Sequence, residues 1–74
     1  MTYKNLPALI EQRRHDRGWT QAELARRAGV SPSAISVIEQ GHANVSVDTL
    51  DKIARALKTT APKMLVDSTK IRDA

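Results

Sequence analysis

The sequence holds no cysteine and no phenylalanine, and its only aromatic residues are one tyrosine and one tryptophan. The missing thiols exclude disulfide frameworks and thiolate–zinc sites, and fit a reducing compartment. Apolar runs are only a few residues long, so nothing in the chain can span a membrane. The N-terminal stretch MTYKNLPALIEQRRH has no hydrophobic signal core of ordinary length, and a cytoplasmic protein is expected. There is no Gly-rich phosphate loop and no paired-carboxylate site. His15 and His42 share no metal-type spacing with each other or with a carboxylate. An enzyme, a metal and a cofactor are therefore all unexpected. Trp19 is read as an apolar staple rather than a base-stacking platform, since Tyr3 is the only other aromatic.

What is present is a chain of 74 residues with a formal charge of +4. A domain of this size buries only about 60–65% of its unfolded surface, so its stability margin is thin. The charge is uneven. Residues 1–30 carry six basic and three acidic side chains, a balance of +3, and residues 31–74 carry six and five, a balance of +1. A basic half points to an anionic partner, nucleic acid first, although solubility alone would explain such an excess.

The three glycines and three prolines can all be placed by helix logic. Gly18, Gly29 and Gly41 each follow a segment of helical period, where a left-handed residue ends a helix without Cβ strain. Pro7, Pro32 and Pro62 each stand in a first turn, where the missing N–H costs nothing. Asn5, Thr20, Ser31, Ser46 and Thr60 are the matching N-caps. Apolar spacing then predicts helices at about 6–17, 21–28, 32–39, 47–57 and 61–66. Thr20-x-x-Glu23 reads as a capping box with Trp19 and Leu24 as its hydrophobic staple. The expected fold is all-α, one domain over 1–66, followed by a polar tail over 67–74.

About three residues around Gly29 join the second and third helices. Small Ala25 lies four residues before that glycine, and Ile35 and Ile38 lie six and nine after it. This is helix-turn-helix spacing over about 20–39, in which the alanine permits close approach and the isoleucines pin the second helix. On spacing alone, a plain helical hairpin in a bundle also fits.

The stretches RRHDRGWTQAELARRAGVSPSAISVIEQG and NVSVDTLDKIARALKTTAPKML resemble the Cro/repressor-type helix-turn-helix domains, also called lambda-repressor-like or xenobiotic-response-element-type. The resemblance implies a compact five-helix domain that binds operator DNA as a two-fold dimer, with helix 3 in the major groove. Chain length and the NVSVDTL entry to helix 4 are similar to restriction–modification controllers and small phage-like repressors. By position, the resemblance places Pro32, Ser33, Ser36 and Val37 towards the bases. It places Gln21, with Thr20 beside it, and Gln40, His42 and Asn44 near phosphates. Ser31 and Thr20 have capping as their first role. Arg14 and Glu39 match a structural ion pair that ties helix 1 to the end of helix 3. Arg13, Arg17, Arg26 and Arg27 read singly as solvated surface charges. Met64 and Val66 on helix 5 are the candidate dimer surface, although Met64 and Leu65 could instead close the core.

Helix 3 departs from well-known members of that family, which place glutamine or arginine at base-facing positions. Two hydroxyls, a proline ring and a valine discriminate little by hydrogen bonding. Val37 or Pro32 could favour a thymine methyl. The leading expectation is a transcriptional regulator that binds a palindromic operator as a homodimer. The alternative is a protein-interaction module, such as an antitoxin or regulatory subunit, on the same fold.

Overall fold

The computed structural model describes residues 5–41 and 45–70; His42, Asn44 and the last four residues of the expected tail lie outside them. Five α-helices follow in order: α1 Leu6–Asp16, α2 Gln21–Ala28, α3 Pro32–Glu39, α4 Val47–Ala56 and α5 Ala61–Ser68. Among the described residues there is no strand.

Starts obey local chemistry. The side chains of Thr20, Ser31, Ser46 and Thr60 accept hydrogen bonds from the amides of Glu23, Ala34, Thr49 and Lys63. Each satisfies an N–H that has no partner inside its own helix. Asn5 departs from expectation, because its side chain makes no such cap and its backbone is not extended (φ −98°, ψ 3°).

Three helix ends close alike. The amides of Trp19, Val30 and Thr59 reach back five residues to the carbonyls of Arg14, Ala25 and Ala54, at 3.1, 3.0 and 2.9 Å. Such closure requires a left-handed residue just before the donor. Gly18 and Gly29 supply it at φ 69° and 74°, and at the third turn Lys58 does so at φ 59°. Helix α4 therefore ends at Ala56, with Leu57 as its cap, one residue short of the expected range.

The core gathers one stripe from every helix. Leu6, Leu9 and Ile10 come from α1, Leu24 and Ala25 from α2, and Ile35 and Ile38 from α3. Leu50, Ile53 and Ala54 come from α4, and Ala61 and Met64 from α5. Helix α2 packs on both α3 and α4, while α1 packs on α5 and α3. Ala25 is fully buried, which lets α2 and α3 approach closely. Helix α5 runs two residues beyond its expected end. Buried Ser68 donates its hydroxyl to the Leu65 carbonyl at 2.7 Å, so this polar residue brings no unpaired donor into the interior.

Lys58 is the strained closure. A side chain in the left-handed region costs about 1–2 kcal/mol, against an entropic cost of glycine of roughly 0.5–1 kcal/mol. Lys58→Gly should raise stability by about 0.5–1 kcal/mol, or a few degrees of Tm in a domain this small. A calorimetric scan showing an unchanged or lower Tm would refute that account of the turn.

Candidate nucleic-acid interface

The site is built around a buried charge pair. The Arg14 guanidinium donates through Nε to Glu39 Oε2 at 2.8 Å and through Nη2 to Oε1 at 2.9 Å. Its Nη1 donates to the Trp19 carbonyl at 2.8 Å. The two side chains are 9% and 3% exposed. The hydrogen bond to Glu39 raises the Arg14 pKa above its ordinary value despite its burial, so the guanidinium stays charged. The same carboxylate also accepts from Gln21 Nε2 at 3.1 Å. Glu39 thus ties the last turn of α3 to α1 and to the first residue of α2.

That bond gives Gln21 a role the sequence did not suggest. The side chain expected to reach a phosphate is half-buried and turned towards Glu39. One of its two amide hydrogens is committed inward. Its neighbour Thr20 caps α2 at Glu23, as its first role required. The amides of Gln21 and Ala22 have no acceptor within the helix, and the helix dipole makes that end favourable to an anion.

On α3, Ile35 and Ile38 face the core, while Pro32, Ser33 and Val37 are exposed and Ser36 is half-buried. The spacing i, i+1, i+4, i+5 puts these four on one outward face. Val37 is 40% exposed. Ser31 spends its hydroxyl on the Ala34 amide at 3.1 Å. Gln40, expected near a phosphate, is exposed and donates from Nε2 to Ser36 Oγ at 3.2 Å.

The arginines are not free charges. Arg26 and Arg27 both bind the Glu23 carboxylate, Arg27 through Nε at 2.8 Å. Arg27 also lies over the Trp19 ring, 4.4 Å from its centroid, and Arg17 lies 5.6 Å from the same ring. Arg17 donates to the Leu57 carbonyl at the end of α4, at 2.7 Å, and Arg13 pairs with Asp67 at 3.2 Å. Trp19 packs against the core but remains half-buried, with two guanidinium groups close to its ring. Sequence reasoning missed this arrangement because Arg17 and Arg27 meet at Trp19 only once α1 and α2 are folded together.

On α5, Met64 is 1% exposed and belongs to the core, which removes it from the candidate dimer surface. Val66 is 56% exposed, beside the outward Pro62 and Thr69. Among the described residues, no cluster of His, Asp and Glu could hold a metal, and no helix is long and apolar enough to cross a membrane.

Two outcomes follow from this geometry. Glu39→Ala strands the Arg14 charge and should cost roughly 3–5 kcal/mol. Chemical denaturation should detect that loss directly, and a variant that unfolds like the parent would exclude a scaffold role. The Arg26 hydrogen bond, with Arg27 adding to it, holds the Glu23 carboxyl below its ordinary 4.5. A depressed folded value means that any stabilisation is present above the ordinary pKa and lost as pH falls through the folded one. An NMR titration should find the Glu23 midpoint below 4.5, moving back up in Arg26→Ala.

Residues 9–63 match the HTH_3 helix-turn-helix family. A hypothetical transcription factor of Neisseria meningitidis is 34% identical over 53 residues, covering 72% of this chain and 50% of that protein. Antitoxin HipB of Escherichia coli O6:H1 is 40% identical over 45 residues, covering 61% of this chain and 48% of that protein. The chain thus spans about half the length of these two relatives. The solution structure of the DNA-binding domain of the P22 C2 repressor superposes with a TM-score of 0.77 at 28% identity, covering 88% of this chain and 86% of that one. With α2 and α3 forming the motif in a five-helix repressor-like fold, this chain belongs to the HTH_3 helix-turn-helix family.

Proposed function

We propose that the protein is a cytoplasmic transcriptional regulator that binds a palindromic DNA operator as a homodimer, with α3 in the major groove. The observation that carries this reading is the outward face of α3, held rigidly from behind. Pro32, Ser33, Ser36 and Val37 face solvent while Ile35, Ile38 and Glu39 anchor the opposite side. The bond from Gln21 to Glu39 brings the N-terminus of α2 beside the C-terminal end of α3. A phosphate could lie there, against the Gln21 and Ala22 amides, when α3 occupies the groove.

The face is a quiet reader. It offers hydroxyls and methyls rather than the bidentate side chains that discriminate by about 1–3 kcal/mol each. Affinity then rests mainly on phosphate contacts and DNA deformability, and no single base pair dominates. Dimerisation is assigned to the α5 face around Val66.

Selection from random duplex DNA should recover two half-sites roughly 10 base pairs apart, or a multiple of that. Recovery of no sequence above background would defeat the proposal. Val66→Glu, at an exposed position, should keep the monomer fold. It should also lower the mass found by sedimentation and weaken binding to a two-half-site duplex relative to a single half-site.

The likeness to antitoxin HipB favours a second reading, a protein-interaction module that holds a partner protein on the same fold. Stoichiometric co-purification with one defined protein, in the absence of any DNA preference, would favour it.

A further inference from the structure

Hydroxyl groups within helices can bond back to a carbonyl of the preceding turn. Ser68 does so at 2.7 Å to Leu65, and at the end of the same helix Thr69 does so at 2.6 Å to Val66. Ser36 differs. Its Oγ accepts from Gln40 Nε2 at 3.2 Å, and among the described residues its proton has no acceptor. Ser36 and Gln40 are one helical turn apart, on the side of α3 that carries Val37 outward.

We propose that Gln40 is a positioning residue that turns Ser36 into a hydrogen-bond donor with a fixed direction, so that Ser36 selects a keto base edge. This rests on the DNA-binding reading above. A serine hydroxyl has one proton and two lone pairs, and an unassisted serine rotates to suit either a base acceptor or a base amine. Here the Gln40 amide occupies one lone pair and strengthens the hydroxyl as a donor through the linked hydrogen bond. A base amine approaching Oγ would meet the Nε2 hydrogens of Gln40, donor against donor. Guanine O6 or thymine O4 meets the free Ser36 proton instead. Gln40 thereby acts on specificity through Ser36 rather than by touching a phosphate.

The test measures affinities for every single-base-pair variant of the selected half-site, using the parent protein, Gln40→Ala, Ser36→Ala and the double variant. For the parent, replacing one keto base should cost about tenfold. Both single variants should reduce that preference to about threefold or less at the same base pair. They should leave other base pairs within about twofold, and the double variant should be no worse than Ser36→Ala, as coupled residues require. Gln40→Glu, whose carboxylate would accept the hydrogen bond that the Ser36 hydroxyl donates, should abolish the keto preference beyond the uniform loss caused by its charge. A Gln40→Ala protein that binds every duplex equally more weakly would mark a phosphate contact and overturn the inference, leaving DNA binding intact. An unchanged preference in Gln40→Ala, or a parent preference for cytosine or adenine at the Ser36 position, would overturn it as well. Absence of any selected duplex would overturn the DNA-binding reading and this inference together.

Discussion

The Glu39 carboxylate is the constraint on which the rest of the interface depends. Apolar contacts from Ile35 and Ile38 hold α3 against the core, but packing of that kind is weakly directional. The paired bonds from Arg14 Nε and Nη2 fix an orientation as well as a distance. Arg14 also donates to the Trp19 carbonyl in the turn before α2. One charge pair therefore sets the end of α3 relative to α1, to the first turn of α2 and to the turn between those helices. An apolar pair of similar volume could match it in stability. It could not orient Gln21, whose amide also bonds to the carboxylate.

This arrangement changes the meaning of the positive charge. The N-terminal half suggests a cationic surface awaiting phosphates, yet its arginines are largely engaged within the fold. Arg26 and Arg27 bind Glu23, Arg13 binds Asp67, and Arg17 binds the carbonyl end of α4. Exposed pairs of this kind are worth about 0–1 kcal/mol each, and long side chains remain free to exchange a carboxylate for a phosphate. Any attraction they exert on a polyanion is therefore collective, and not readily assigned to single contacts.

Most of the fold was legible because helix punctuation is local chemistry. Thr20, Ser31, Ser46 and Thr60 cap as their residue types require, and Gly18, Gly29 and Gly41 adopt the left-handed backbone that glycine tolerates. The failures have physical causes. Lys58 carries no sequence signal for a left-handed turn, and it is held there by the bond from the Thr59 amide to the Ala54 carbonyl. Asn5 has a good capping type but a backbone angle that does not present its side chain as a cap. Met64, Leu65 and Val66 form a run of three apolar residues too short to have a phase. Only the docking of α5 on α1 and α4 decides that Met64 turns inward and Val66 outward. At the site, the outward face of α3 follows from spacing. The partners of Gln21 and Gln40 do not, because an amide side chain has several polar neighbours in reach and tertiary geometry chooses among them.

A helix with short outward side chains reads DNA differently from one with long ones. Flexible glutamines and arginines can search for their partners, so the helix that carries them tolerates imprecise placement. The hydroxyl of a serine lies only two bonds from Cα, and its reach is set almost wholly by where the backbone stands. If α3 binds DNA as proposed, the information that flexible side chains would carry lies in the scaffold: the Gly29 turn, the close approach at Ala25 and the bonds at Glu39. Substitutions behind the helix should therefore disturb recognition as much as substitutions on its face. The buried pair and the plain surface it supports are two halves of one solution.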